Sequence, residues 1–186
     1  MRYQARFMEQ AITAGEVNIV HINPFAGQGK KDRRVLISDN GVPVLVLQLY
    51  IRADEEGFLV SSAFCDFLCN DHSIAIICGD HLHIAEIISG HFRSFPLDDY
   101  VGHIYAVPDI NSVRLHEHFL VATYSYVFLV HLTEGILWQS ARCAIDGVTL
   151  SAIENDVIEG EGDWDPPGGW QPFRLSLKTG EPVCMD

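Results

Sequence analysis

The chain has 186 residues and a formal net charge of −13, from 12 Lys and Arg against 25 Asp and Glu. Binding to nucleic-acid phosphates needs clustered Lys and Arg, so this balance argues against a nucleic-acid partner. Hydrophobic residues make up 48% of the chain, an ordinary fraction for a packed core. We therefore expect one domain over residues 1–186, with an acidic surface that suits solubility or steering toward a basic partner.

The N-terminal sequence MRYQARFMEQAITAG contains no apolar run of the kind found in signal peptides. No stretch of the chain approaches the length of a membrane-spanning helix, so we expect no membrane partner. The five cysteines, an odd number without the spacing of a disulfide framework, are Cys65, Cys69, Cys78, Cys143 and Cys184. We therefore predict a cytoplasmic protein with reduced, mostly buried thiols.

The first helix candidate of the chain is a short segment within residues 1–15. Its apolar positions on one side are Tyr3, Phe7, Ala11 and Ile12. The remaining sequence reads as strands almost throughout, and Asn40-Gly41 indicates a tight hairpin turn because this pair supplies positive φ angles. The sequence therefore predicts an all-β domain with at most one short N-terminal helix.

An internal repeat runs through residues 71–183, where Gly90, Gly135 and Gly180 lie 45 residues apart. The runs that precede them align as HLHIAEIISG, YVFLVHLTEG and QPFRLSLKTG. Each run is an alternating strand that ends in a turn, where Gly suits a left-handed backbone conformation. Each unit is therefore predicted to be an antiparallel meander of about four strands.

This repeat resembles the blades of β-propellers, whose periods of ~40–50 residues include this spacing. Trp164-Asp165 spells the dipeptide of one blade family, but it lies in a predicted loop and not at a strand end. The resemblance implies repeated meanders arranged as a propeller, with four blades at this length. An open stack or sandwich of the same sheets is the alternative, since the N-terminal third does not align with the repeat.

The two faces of the repeated strand differ in the last unit. One face is apolar in every unit, and its first column contains His83, Phe128 and Phe173. The opposite face is apolar in two units, but in the last it contains Arg174, Ser176 and Lys178. Terminal units of stacked arrays have a polar outer face, so we expect the last sheet to be covered on one side only.

Histidine pairs are the main metal-ligand candidates. His81 and His83 share one face of a strand, and His116 and His118 form a second pair, with His131 nearby in the next strand. Two ligands without a third do not make a zinc site, and His83 takes a column position that is otherwise Phe. The favoured interpretation is a half-buried histidine in an aromatic slot, with no metal and no cofactor.

Cys65 and Cys69 with His72 suggest a soft-metal cluster, but cysteines four apart on a strand lie ~13 Å from each other. Buried free cysteine is therefore the favoured interpretation.

Lys30-Lys31 and Arg33-Arg34 form the one basic cluster, predicted as a solvated loop or as a contact for the acidic tail of another copy.

Glu159, Glu161 and Asp163 alternate with Gly160 and Gly162, which places the three carboxylates on one face of a predicted strand. Like charges along one face repel, so a solvated outer surface is expected. A bridging divalent cation is the alternative, although the calcium-loop pattern is missing. Glycines on the opposite face indicate close approach of another backbone or of a large ring.

The stretch GDWDPPGGW, residues 162–170, follows this strand and is predicted to be an elaborated hairpin connection whose two Trp rings stack or cap the core. Aromatic residues are frequent interface anchors. The predicted partner-binding residues are Glu159, Glu161, Asp163, Trp164, Asp165 and Trp170.

No complete catalytic constellation is present in the sequence, so we predict a non-enzymatic interaction module that neutralises or scaffolds a basic partner protein. Small acidic bacterial proteins that neutralise basic toxins are an analogy, and the C-terminal tail resembles those of small bacterial proteins. The exposed last sheet also allows a homodimer. The alternative is a metal-dependent enzyme or small-ligand binder that uses the strand histidines.

Overall fold

The computed structural model describes residues 2–8, 17–53 and 64–184. This part of the chain consists of fifteen β-strands in four sheets and contains no helix, which confirms the all-β fold class.

The four sheets follow one another along the chain. The strands of the first sheet are β1 (Tyr3–Phe7), β2 (Asn18–Ile22), β3 (Lys30–Asp39) and β4 (Val42–Ile51). Those of the second are β5 (Cys65–Cys69), β6 (Ser73–Cys78), β7 (His81–Glu86) and β8 (Phe92–Pro96). Those of the third are β9 (Val101–Ala106), β10 (His118–Thr123), β11 (Val127–His131) and β12 (Gly135–Gln139). Those of the fourth are β13 (Val148–Glu154), β14 (Val157–Asp163) and β15 (Trp170–Ser176).

The last three sheets are antiparallel meanders in which each strand pairs with the next one in the chain. The first sheet has the order β1-β3-β4-β2, and its edge strand β2 is parallel to β4. Every other strand pair in this sheet is antiparallel, including the hairpin at Asn40 and Gly41, whose φ angles of 49° and 84° confirm the predicted turn.

Three hydrophobic clusters join successive sheets face to face. The first lies between the first and second sheets, the second between the second and third, and the third between the third and fourth. The inner strands are therefore buried on both faces, which explains why β6 reads as the continuous apolar run SIAIIC. Among the described residues, no buried cluster joins the fourth sheet to the first.

The three repeated glycines occupy one equivalent position in successive sheets, at the turn after the third strand. Gly90, Gly135 and Gly180 have φ angles of 70°, 92° and 70°, which confirms their predicted left-handed conformation. A Cβ atom added to them would lie 2.9 Å from Val20, 2.7 Å from Phe95 and 2.6 Å from Trp138, respectively.

Each of these three neighbours lies on the outer strand of the preceding sheet: Val20 on β2, Phe95 on β8 and Trp138 on β12. The same contact between sheets is therefore made three times. In the first sheet, β2 makes this contact with the turn glycine. β2 therefore takes the place of the outer strand, although it runs parallel to its neighbour and the outer strands of the second and third sheets run antiparallel to theirs.

The fourth sheet is completed by the C-terminal segment. Pro182 forms a bridge with Leu175, while Ser176 N donates to Glu181 O at 2.8 Å and Val183 N donates to Arg174 O at 2.9 Å. This segment takes the place of a fourth strand. On its far side the sheet faces no other described sheet, as its polar outer row predicts.

The predicted N-terminal helix is wrong for the residues that are described. Tyr3 to Phe7 form strand β1, paired with β3, and Tyr3 is buried in the first cluster. Tyr3, Ala5 and Phe7 alternate in an edge strand, and the gain from pairing with β3 overrides a weak helical pattern. Ala11 and Ile12 lie outside the described residues.

Candidate functional site

The predicted acidic strand is β14, the central strand of the fourth sheet. Glu159, Glu161 and Asp163 lie on its outer face, while Gly160 and Gly162 are buried on the inner face. Glu159 is directly opposite Arg174 on β15, and the two side chains form an ion pair of 3.2 Å. Glu161 is exposed and lies opposite Pro172, which offers it no countercharge.

The two buried glycines are explained by the close approach of backbone. A Cβ on Gly162 would collide with the carbonyl group of Cys143, and a Cβ on Gly160 would lie 2.5 Å from Thr149 O. The ring near Gly160 is that of Phe173, at 2.6 Å, so neither Trp supplies it. The two glycines therefore let the backbone at Cys143 and Thr149 pack directly against β14, on the face opposite the carboxylates.

The GDWDPPGGW connection is a closed turn at the end of β14. Gly168 N donates to Trp164 O, and Trp164 N donates to Gly169 O, both at 3.0 Å. At the start of the turn, the Asp163 carboxylate accepts a 3.0 Å hydrogen bond from Asp165 N. Asp163 therefore holds the turn together as well as adding charge.

The two tryptophans do not stack on each other, contrary to one of the predicted arrangements. Trp164 is half-buried with its Cβ against Gly168, whereas Trp170 is 50% exposed and passes its ring over Gly147. We define the acidic face as the predicted set Glu159, Glu161, Asp163, Trp164, Asp165 and Trp170. It combines a row of carboxylates, of which only Glu159 has a cationic partner opposite, with one large exposed ring.

A cavity of about 290 Å³ lies on the inner side of the fourth sheet, at the edge where the C-terminal segment meets β15. Its walls include Trp164, Phe173, Arg174 and Arg142. Its described lining contains rings and guanidinium groups but no carboxylate, so the cavity is separate from the acidic face. This cavity was not predicted, because it needs residues 141–143 and 182–183 to meet in space.

His81 and His83 lie side by side in β7 as predicted, with their rings 5.9 Å apart and nearly parallel. His81 Nδ1 is 2.5 Å from an oxygen of Asp80, and His83 Nδ1 is 2.8 Å from Ser94 Oγ. Complete burial, with a smaller effect of the neighbouring His81, lowers the pKa of His83 to about 3. His83 is thus a neutral core residue, in line with the aromatic-slot interpretation.

Asp80 is anchored between two partners. Burial alone would raise its pKa, but the hydrogen bond and charge of His81, with Arg52 at 3.3 Å, lower the pKa below its ordinary value. Phe25 packs edge-on against His81 with ring centroids 5.0 Å apart. The ring of His81 is therefore held by Asp80, Phe25 and the parallel ring of His83.

The second histidine pair is divided between two places. His118 packs against His131 on the adjacent strand, with centroids 4.9 Å apart, and His131 Nε2 lies 3.2 Å from Glu117. His116 instead lines a surface groove with His72. No group of three potential ligands in the described ranges includes a histidine.

The cysteines depart from the prediction of reduced thiols. Cys65 and Cys78 form a disulfide, whereas Cys69 and Cys143 are buried free thiols and Cys184 is exposed. The two bonded residues are direct partners across the β5–β6 hairpin, with Cα atoms 4.6 Å apart. Their separation of 13 residues follows from the turn at 70–72, which brings the two cysteines to paired positions of the hairpin.

The disulfide lies against a carboxylate from the first sheet. Asp32 Oδ2 is 3.5 Å from Cys78 Sγ, and ligand atoms of Asp32, Cys65 and Cys78 all lie within 4.8 Å of one another. Burial raises the pKa of Asp32, which the charge of Arg33 at 3.7 Å partly offsets. This three-residue cluster was missed because Asp32 is distant in sequence.

The prediction of a loop for the basic cluster is wrong. Lys30, Lys31, Arg33 and Arg34 open strand β3, and Arg34 Nε donates to Gln48 Oε1 on β4 at 2.7 Å. The register with β4 shifts between Lys31 and Arg34, and this bulge lets Asp32 turn toward the second sheet.

These observations define an all-β protein built from a row of packed, mostly antiparallel sheets. Two solved structures of AztD from Citrobacter koseri, one of them the apo protein, share this arrangement at 12% and 13% sequence identity. Each match has a TM-score of 0.50 and covers 90% of this chain and 45% of the AztD chain. The chain therefore spans less than half the length of the AztD chains, and the likeness shows the fold alone.

No family model matches the chain, and no curated protein matches it. Over the described ranges, no helix is long and apolar enough to cross a membrane.

Proposed function

We propose that the chain is a non-enzymatic protein-interaction module, and that its acidic face contacts a basic partner protein. The observation that carries the proposal is the position of Glu161 and Trp170 on the outer side of the fourth sheet. Glu161 is exposed without a countercharge opposite, and Trp170 is 50% exposed. Exposed carboxylates around an aromatic anchor favour partners that are basic and carry an apolar side chain.

The exposed ring of Trp170 supports the same partner chemistry. Trp170 lies opposite Asp163 on the outer side of the fourth sheet, in the same row as Glu159 and Glu161. A segment that alternates Lys or Arg with apolar residues would place its charges on the carboxylates and one apolar side chain on this ring. Neutralising or scaffolding a basic protein is the role that follows.

A second copy of this chain is a poorer occupant of the acidic face. Two copies that met through this face would bring their carboxylate rows together, and like charges in contact disfavour that arrangement. Substituting Glu159 and Glu161 by Gln would strengthen such a dimer, whereas it would weaken binding of a basic partner. Sedimentation equilibrium of both forms without peptide therefore separates the two occupants.

The direct test measures binding of synthetic peptides that alternate Lys with Leu, and of matched peptides with Gln in place of Lys. We expect the Lys peptides to bind more tightly to the protein, with an affinity that falls as salt rises. The Glu159→Gln/Glu161→Gln variant should bind at least tenfold more weakly. The control Glu117→Gln/Glu134→Gln removes the same charge at exposed positions on the third sheet and should change the affinity less than threefold.

An equal loss in both variants would show that net charge alone attracts the peptide and would overturn the assignment of the site. Unchanged affinity in the Glu159→Gln/Glu161→Gln variant would overturn it as well. Thermal unfolding of each variant checks that the fourth sheet is intact.

We infer further that the four sheets are blade-like units of a propeller-like arc. The contact between a turn glycine and the outer strand of the preceding sheet occurs three times. It supports this inference, because successive sheets are then packed in the same way.

We also retain a cytoplasmic location as a proposal. The argument from reduced thiols does not hold for Cys65 and Cys78, which form a disulfide.

A further inference from the structure

We propose that Asp32, Cys65 and Cys78 form a redox-gated binding site for a thiophilic divalent cation such as Zn²⁺. The reduced pair binds the cation together with the Asp32 carboxylate, and the oxidised pair, joined as a disulfide, does not. The site lies at the interface of the first and second sheets, away from the acidic face on the fourth sheet.

The geometry places three donors at the right separation. Zinc binds thiolate sulfur at about 2.3 Å and carboxylate oxygen at about 2.0–2.2 Å, so its ligand atoms lie roughly 3.5–4 Å apart. Asp32 Oδ2 is 3.5 Å from Cys78 Sγ, and all three donors fall within 4.8 Å of one another. Breaking the disulfide lets the two sulfur atoms separate to that distance without moving Asp32.

Three strands of two sheets hold these donors. Cys65 and Cys78 are fixed opposite each other by the β5–β6 register, and Asp32 is presented by the bulge of β3. Cys78 is 1% exposed, whereas Cys65 and Asp32 are partly exposed, so a cation reaches the site from their side. Three protein ligands leave a fourth position for water.

Electrostatics also favour a cation in the reduced state. Two thiolates and a carboxylate that lie within a few ångströms of one another repel. A divalent cation removes the repulsion and stabilises all three anionic donors at once.

The redox cycle balances with a dithiol as reductant. Thiol–disulfide exchange breaks the Cys65–Cys78 bond, gives two thiols and converts the dithiol into its own disulfide. Binding of the cation then displaces two thiol protons into solvent. A disulfide oxidant reverses the exchange, takes up the two electrons and releases the cation.

The test uses Co²⁺ as a spectroscopic substitute for Zn²⁺, with the full chain reduced by a dithiol that is removed before titration under argon. We expect one Co²⁺ per chain with a sulfur-to-cobalt charge-transfer band, and displacement of Co²⁺ by Zn²⁺. The oxidised protein should show no such band. A band of equal strength in the oxidised protein would overturn the proposal.

Asp32→Asn is the decisive variant, because it removes the anionic oxygen ligand while keeping the size and shape of the side chain. It should weaken Zn²⁺ binding by tenfold or more. Asp66→Asn is the matched control, since Asp66 is also a partly buried carboxyl on β5 with its pKa raised by burial. Cys184→Ser controls for the exposed thiol, and both controls should bind Zn²⁺ as the parent does.

Equal Zn²⁺ affinity in Asp32→Asn and the parent would refute the role of Asp32. Loss of the charge-transfer band in Cys184→Ser, with the band retained in Cys65→Ser, would place the ligands elsewhere and overturn the site.

Discussion

His83 is a buried histidine that the fold keeps neutral. Its Nδ1 contacts Ser94 Oγ at 2.8 Å, while its Nε2 has no hydrogen-bond partner among the described residues. The equivalent positions in the next two sheets are Phe128 and Phe173, so an imidazole occupies a slot shaped for a hydrophobic ring. Complete burial, together with the nearby His81, explains the pKa of about 3.

This pKa predicts an acid-dependent loss of stability. The folded pKa of His83 lies below the ordinary value of 6.5, so its stabilising contribution is complete above pH 6.5 and falls as the pH drops toward 3. Between pH 7.5 and 5.5 the unfolding free energy should decrease by about 1.4 kcal/mol more in the parent than in His83→Phe. Urea unfolding at the two pH values measures this difference.

The exposed His91 serves as the control for that experiment. His91→Gln should keep the pH dependence of the parent, because His91 lies at a turn in solvent. If His83→Phe also retains it, another group is responsible for the acid dependence.

At the scale of the strand, β14 places opposite requirements on its two faces. The outer face carries carboxylates in solvent, and the inner face must come so close to neighbouring backbone that only hydrogen fits at residues 160 and 162. The alternation of acid and glycine in the sequence is therefore one structural device. It was predictable from period two alone, whereas the identity of the neighbouring backbone was not.

Gly162→Ala is expected to destabilise the fold by more than about 2 kcal/mol, because its methyl group would collide with the Cys143 carbonyl and push β14 away from the segment that contains Cys143. Gly41→Ala is the comparison. It has open space around its Cβ but a φ of 84°, so strain of about 1–2 kcal/mol is expected there. Chemical unfolding of both variants ranks them, and a smaller cost for Gly162→Ala would contradict the close approach.

At the scale of the molecule, sequence periodicity located the third strand of three sheets and the polar outer row of the last. Sequence periodicity could not reveal the order of the first sheet, because β2 joins that sheet parallel to β4 and out of chain order.

The Cys65–Cys78 pair has a local signal in the sequence, the turn residue Asn70 midway between the two cysteines. Asn70 Oδ1 accepts hydrogen bonds from His72 N and Ser73 N there. Asp32 has no such signal, because a bulge in another sheet brings it to the pair.

The order of the sheets predicts a gradient of stability along the molecule. The second and third sheets are each covered on both faces, and the fourth is covered on one face only by the third cluster. Local opening requires less buried surface to be exposed where one face is already in solvent. Hydrogen exchange should therefore be slowest in β6, β7, β10 and β11 and faster throughout β13–β15.

This exchange pattern also reports on the surface proposed for binding. Addition of a Lys-containing peptide should slow exchange in β14 and β15 of the parent, but not in Glu159→Gln/Glu161→Gln. Protection of β14 and β15 that rises with protein concentration alone would instead indicate that a second copy covers the fourth sheet. Protection as high in β13–β15 as in β10, independent of concentration and peptide, would contradict an outer sheet that is covered on one face only.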